Sequence, residues 1–85
     1  MRIDRLLCFL RFVRTRGVAR TLIEQGHIRH NGDRVMRTSR MVAVGDVLTI
    51  PLAGRVRLIE ILSLPQRRGP AREARECYRE LDPAS

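Results

Sequence analysis

The hydrophobic period changes at Gly26, and no other feature limits the fold of this chain as strongly. Before Gly26, Ile3, Leu6, Leu7, Leu10 and Val13 recur at helical spacing. They predict an amphipathic helix over about residues 3–12, with Arg2, Arg5 and Arg11 off the apolar stripe and Cys8, Phe9 and Phe12 widening it. Thr15 is suited to cap a second helix that turns Val18, Ala19, Leu22 and Ile23 inward, and Gly26 stands where a left-handed residue ends it. From His27 onward the period is two. His27-Ile28-Arg29-His30 and Asp33-Arg34-Val35-Met36 flank Asn31-Gly32, the dipeptide that most strongly signals a tight hairpin.

The same reading continues along the chain. Gly45-Asp46 predicts a turn, followed by a strand over Val47–Ile50, a break around Pro51–Gly54, and a longer strand over about 55–63 with Val56, Leu58 and Ile61 supplying apolar contacts. Gln66 to Gly69 reads as a linker. Pro70 can open a short helix reaching about Leu81, with Ala74, Cys77, Tyr78 and Leu81 on its apolar side. The expected fold class is α+β: an amino-terminal helix hairpin packed on a small, mostly antiparallel sheet, with a short carboxy-terminal helix. The expected division is a domain over 1–64 and a linker plus helix over 65–85.

With 85 residues there is room for one domain and no separate substrate domain. The formal net charge is +8, and its placement is uneven. Residues 1–45 hold ten arginines against Asp4, Glu24 and Asp33, whereas residues 46–66 balance and residues 67–85 set five arginines against four acids. Charge concentrated in one half marks an electrostatic footprint for a polyanion, more than a general solubilising surface. Every basic residue is arginine, which fits either a biased genome or selection for guanidinium chemistry.

Several function classes lack their residues. There is no glycine-rich loop with lysine, no nucleophile elbow and no closely spaced acidic pair. His27 and His30 fall on opposite faces of a strand and Cys8 and Cys77 are isolated in sequence, so zinc chemistry lacks convergent ligands. The expectation is a non-enzyme without cofactor or metal. Two cysteines make no disulfide framework, which suggests a reduced, cytoplasmic protein. The apolar patch Leu6–Leu10 is broken by Arg11 and Arg14 and is too short for a membrane span. A monomer is expected.

On the second helix Arg16, Arg20 and Glu24 recur every four residues, opposite the apolar face. They can hold arginines over an ordered surface or form an ordinary i,i+4 pair with one solvated neighbour. Arg14 lies beside the helix N-terminus, where free amides also favour phosphate; Thr15 either caps alone or also meets a sugar-phosphate backbone. Strand alternation turns Ile28 and His30 inward and leaves His27 and Arg29 outward, so His30 reads as structural. Asn31 is chiefly a turn residue. Arg34, Arg37 and Arg40 extend the positive surface, and Asp4 and Asp46 read as helix-start and turn residues.

The order of two helices, strand, Asn-Gly turn and strand, with Arg2-Ile3-Asp4-Arg5-Leu6-Leu7, Thr15-Arg16, Ala19, Leu22-Ile23, Gly26-His27-Ile28, Asn31-Gly32 and Gly45-Asp46, resembles the small RNA-binding domain (alpha-L motif) first known from small-subunit ribosomal protein four. The resemblance covers about residues 2–50. It implies binding of structured RNA, through Arg14, Arg16, Arg20, His27, Arg29 and Arg34, with Thr15 and Asn31 supporting; Arg37 and Arg40, from the positive surface, complete the candidate RNA-binding set. Gln66-Arg67-Arg68, Pro70-Ala71, Glu73-Ala74 and Tyr78 resemble the bacterial branch of fifteen-kilodalton heat-shock, ribosome-associated members. That branch implies ribosomal RNA or the large ribosomal subunit as partner. Its members usually carry a longer charged extension, which is not found before Ser85, and often an apolar or aromatic residue at the position of His30. A DNA-binding regulator, a structural ribosomal component and an adaptor that binds protein through its last helix are the rival readings.

Overall fold

The computed structural model describes residues 1–81. Its elements run α1 (Ile3–Phe9), α2 (Arg16–Glu24), β1 (Arg29–His30), β2 (Asp33–Arg34), β3 (Val47–Leu52), β4 (Arg55–Ile61), α3 (Ala71–Glu76) and β5 (Tyr78–Leu81). The strands form one antiparallel sheet in the order β2-β1-β3-β4-β5. The helix pair packs on it, as the α+β pattern expects.

Local chemistry explains the first half. The Thr15 hydroxyl accepts from the Val18 amide at 3.2 Å and starts α2, supplying one of the helix-start donors with a partner. Gly26 ends the turn after α2 at φ +76°. Asn31 and Gly32 both have positive φ, the requirement of the tight turn that matches strand twist. The Asn31 Oδ1 also accepts from the Val47 amide at 2.8 Å, fastening the hairpin to β3.

Residues paired across the strands share a face. His30, Leu48 and Ile59 are one such row, and Ile50 and Ile61 belong to the same face. That face meets Ile3, Leu6, Leu7 and Leu10 of the first helix and its end, and Ala19 and Ile23 of α2, in one buried cluster. The opposite face carries Arg29, Arg34, Thr49 and Leu58.

Four expectations change. The first helix stops at Phe9 instead of Phe12, because Arg11 takes φ +64° and turns the chain. β3 runs through Pro51 to Leu52, and the reversal is confined to Ala53 and Gly54, both at positive φ. Val56 is exposed, at 56%, and Leu58 only half-buried, while Ile61 is fully buried as expected and Ile59 joins it: β4 packs on the phase of Ile61, opposite to that of Val56 and Leu58. Arg57, on the inward phase, lies over the Phe12 ring at 5.1 Å and pairs with Glu80, so its charge stays at the rim. Last, α3 ends at Glu76, and Tyr78–Leu81 forms a fifth strand on β4 instead of continuing the helix. Pairing with β4 satisfies a row of backbone groups that a longer helix would leave open.

Candidate nucleic-acid interface

The amino terminus and residues 38–42 run side by side, and this brings distant arginines together. The Ile3 amide donates to the Arg40 carbonyl at 2.8 Å, and the Val42 amide donates to the Met1 carbonyl at 2.8 Å. Asp4, only 4% exposed, sits at the crossing. Its Oδ1 accepts from Arg2 Nε and the Arg5 amide, and its Oδ2 from Arg2 Nη2 and Arg16 Nη2. Burial pushes this carboxyl up, but the Arg16 hydrogen bond, the Arg5 amide and the charges of Arg16 and Arg2 outweigh it and hold it below its ordinary value. Arg2, Arg16, Arg20, Glu24 and Thr38 line a groove around the carboxylate. Arg20 also pairs with Glu24 at 3.1 Å, as the i,i+4 spacing allowed.

A second groove is lined by Arg34, Met36, Arg37, Ser39 and Arg40, residues that flank Thr38 in the chain. Arg40 is fixed from within the fold. Its Nε–H donates to His30 Nδ1 at 2.9 Å, and His30 Nε2 meets Asp46 Oδ2 at 2.7 Å. A guanidinium can only donate, so Nδ1 accepts and the neutral ring carries its proton on Nε2, toward Asp46. His30 is therefore structural in a specific way: it sets the direction of Arg40. Asp46 also accepts from the Ala43 amide at 2.9 Å. That amide, followed by His30, draws its carboxyl from an ordinary 3.8 to about 2.

The sign follows from linkage. A depressed folded-state value stabilises the fold at pH above the unfolded value, and the contribution is lost as pH falls from 3.8 through about 2. Asp46→Ala should therefore cost about 2 kcal/mol at pH 5. In urea titrations the gap between wild type and variant should narrow at pH 2.5; a gap of constant size would show that the carboxylate charge is not what stabilises this turn.

The remaining expected residues fall as follows. Arg29 and Arg34 stand directly opposite each other on β1 and β2, both exposed. Arg29 Nη1 reaches the Gly32 carbonyl at 3.4 Å, and the Arg34 side chain passes over Gly26, where a Cβ would lie 3.3 Å from its Cδ. Arg14 and His27 are exposed but line neither groove. Thr15 and Asn31 use their side-chain oxygens within the fold. Arg2 and Thr38 were not singled out from the sequence. The signal available for Arg2 was Asp4, a lone acid next to an apolar stripe in an arginine-rich half. Among the described residues, no three His, Cys, Asp or Glu side chains converge as metal ligands.

A family model described as the S4 domain matches residues 1–48. The heat shock protein 15 homolog of Haemophilus influenzae is 33% identical over 82 residues, covering 96% of this chain and 62% of that protein. Heat shock protein 15 of Escherichia coli strain K12 is 34% identical over 80 residues, covering 94% of this chain and 59% of that protein. The chain thus spans about three fifths of the length of the curated relatives it matches. A solved structure of Vibrio cholerae heat shock protein 15 superposes with a TM-score of 0.90 at 33% identity, over 95% of this chain and 81% of that one. That protein is described as trimeric, which corrects the monomer expected from sequence. The sheet ends in two edge strands, β2 and β5, and the period of a strand does not record whether its edge meets solvent or another copy. With the S4 model matched over more than half of its length, and a 0.90 superposition on a solved relative, the chain belongs to the S4 domain family, in the branch that holds heat shock protein 15.

Proposed function

We propose that this protein is a non-catalytic binder of structured RNA, acting in the cytoplasm on ribosomal RNA as a stress-associated factor. The carrying observation is a band of arginines assembled from three juxtapositions: Arg2 and Arg16 with Thr38 in one groove, Arg37 and Arg34 in a second groove lined by the residues flanking Thr38 in the chain, and Arg29 opposite Arg34. Two of these arginines share one carboxylate, and Arg29, Arg34 and Arg37 have no carboxylate partner among the described residues. In the other half Arg57, Arg67 and Arg79 are matched with Glu80, Glu73 and Glu60; Arg55, Arg68, Arg72 and Arg75 have no such partner among the described residues, but seven arginines there stand against six acids, where residues 1–45 set ten against three. Uncompensated guanidinium groups on ordered backbone suit the phosphates of A-form RNA, which is read by shape and backbone more than by base edges. The heat-shock names of the relatives support the stress role, and the trimeric relative brings self-association into the same proposal.

The test is a titration at one salt concentration against an RNA hairpin with a helix junction and a DNA duplex with the same number of phosphates. The RNA should bind at least about tenfold tighter, or about 1.4 kcal/mol. Equal affinity, or a preference for the duplex, rejects the proposal in favour of a DNA regulator.

A further inference from the structure

We propose that Asp4 is a positioning residue for RNA binding, holding Arg2 and Arg16 as a two-armed fork that grips one phosphodiester. This rests on the RNA-binding reading above and deepens it to a particular subsite.

The hydrogen bonds around the carboxylate assign the fork. Asp4 accepts four N–H groups, two on each oxygen. A carboxylate has about four lone-pair sites, so this one is saturated and turns any further donor elsewhere. Arg2 directs Nε and Nη2 inward, with Nη2 also 3.4 Å from the Thr38 hydroxyl. Its Nη1 is left free. Arg16 directs only Nη2 inward, at 3.1 Å, which leaves its Nε and Nη1 groups for a ligand. Both guanidinium side chains remain open to solvent, at 43% and 52% exposure.

Charge agrees with this assignment. Two cations on one anion leave a single excess positive charge, and a phosphodiester carries one negative charge. The groove beside the fork has a volume of about 360 Å³, room for a phosphate with its flanking oxygens. The fork also draws on three separate segments: the residue before α1, the first residue of α2, and the segment after β2. A pair needed only to support one helix is normally local. Fixing both guanidinium planes before binding reduces the ordering cost that a free arginine meets when it takes a phosphate.

A carboxylate that merely joins α1 to α2 would behave differently on substitution, and so would one that merely dilutes the positive charge. Asp4→Asn keeps the shape, removes the charge and replaces one acceptor oxygen with a donor. Affinities of the full chain are measured at one salt concentration for the structured RNA hairpin and for polyuridylate, alongside thermal melting. The variant should bind the hairpin about five- to tenfold more weakly, the scale of one misplaced charge-assisted contact, while its affinity for polyuridylate is unchanged or higher. Parallel weakening of both ligands would assign Asp4 to fold support alone, and parallel strengthening to charge dilution alone; either overturns the proposal. A wild-type protein without preference for the hairpin over polyuridylate defeats the RNA reading itself, whereas a preference that survives Asp4→Asn defeats only the fork. Should Asp4→Asn not fold, Arg16→Lys at its exposed position keeps the charge and loses the planar fork. It should show the same selective loss on the hairpin, and an unchanged hairpin affinity overturns the proposal.

Discussion

Replacing Arg29 and Arg34 together with glutamine should weaken binding of a structured RNA by about 10- to 100-fold, and should leave the fold as stable as before or slightly more stable. The two effects have one origin. These residues are direct cross-strand partners on the two shortest strands, and like charges placed opposite each other oppose pairing. Neither forms an ion pair with a carboxylate among the described residues. A pair of this kind is costly to the free protein and favourable once an anion lies across it. The binding loss corresponds to two phosphate contacts, and the slope of log K against log salt should fall by about two relative to wild type. Both are read from the same titrations at several salt concentrations. If binding falls while the salt slope stays as in the wild type, Arg29 and Arg34 are not phosphate contacts and the outer face of β1 and β2 is not part of the interface. Arg72→Gln with Arg75→Gln is the control, since both lie on α3, remote in the chain from the band, and should change affinity far less.

How much of this was legible in the sequence follows from the range of the interactions. Thr15 caps an amide three residues away, and Gly26, Asn31 and Gly32 set the turns by their own positive φ, so the helix pair and the hairpin can be read directly, whereas the bond from the Val47 amide to Asn31 Oδ1, 16 positions away, cannot. Arg16 and Arg20 could be placed on one helical face for the same reason. The Arg2–Asp4–Arg16 cluster could not, because it depends on the amino terminus lying beside Thr38 and Arg40, 36 positions from Arg2 in the case of Thr38. His30 was legible as inward, but its role in aiming Arg40 depends on Asp46, which reaches it from 16 positions away. At the other end, Ala74, Cys77, Tyr78 and Leu81 fit a helical stripe, yet Tyr78 and Leu81 pair with Ile61 and Leu58. Tertiary pairing overrode a local period that suited either structure.

The sharpest case is β4, and it gives the largest expected change in stability. Ile59→Ala should cost about 2–5 kcal/mol, the range for removing a buried isoleucine side chain beyond Cβ. Val56→Ala on the same strand should cost less than about 1 kcal/mol, the scale of exposed strand substitutions. Val56, Leu58, Ile59 and Ile61 are all apolar, so the sequence offers this strand two phases. The choice between them is made by its neighbours: Ile59 lies between Leu48 of β3 and the inward phase of β5, with no exposure, whereas Val56 lies opposite Pro51 near the Ala53-Gly54 turn and faces solvent. A shift by one residue would bury Leu58 in place of Ile59 and turn Arg57 outward, away from the Phe12 ring it now covers. In a domain of this size total stability is of the order of 4–13 kcal/mol, so Ile59→Ala should lower the melting temperature by at least about 10 °C. Thermal denaturation of the two variants decides it: a larger loss for Val56→Ala than for Ile59→Ala would mean that β4 packs in the opposite phase, and the inward row that carries His30, Leu48 and Ile59 would have to be redrawn with it.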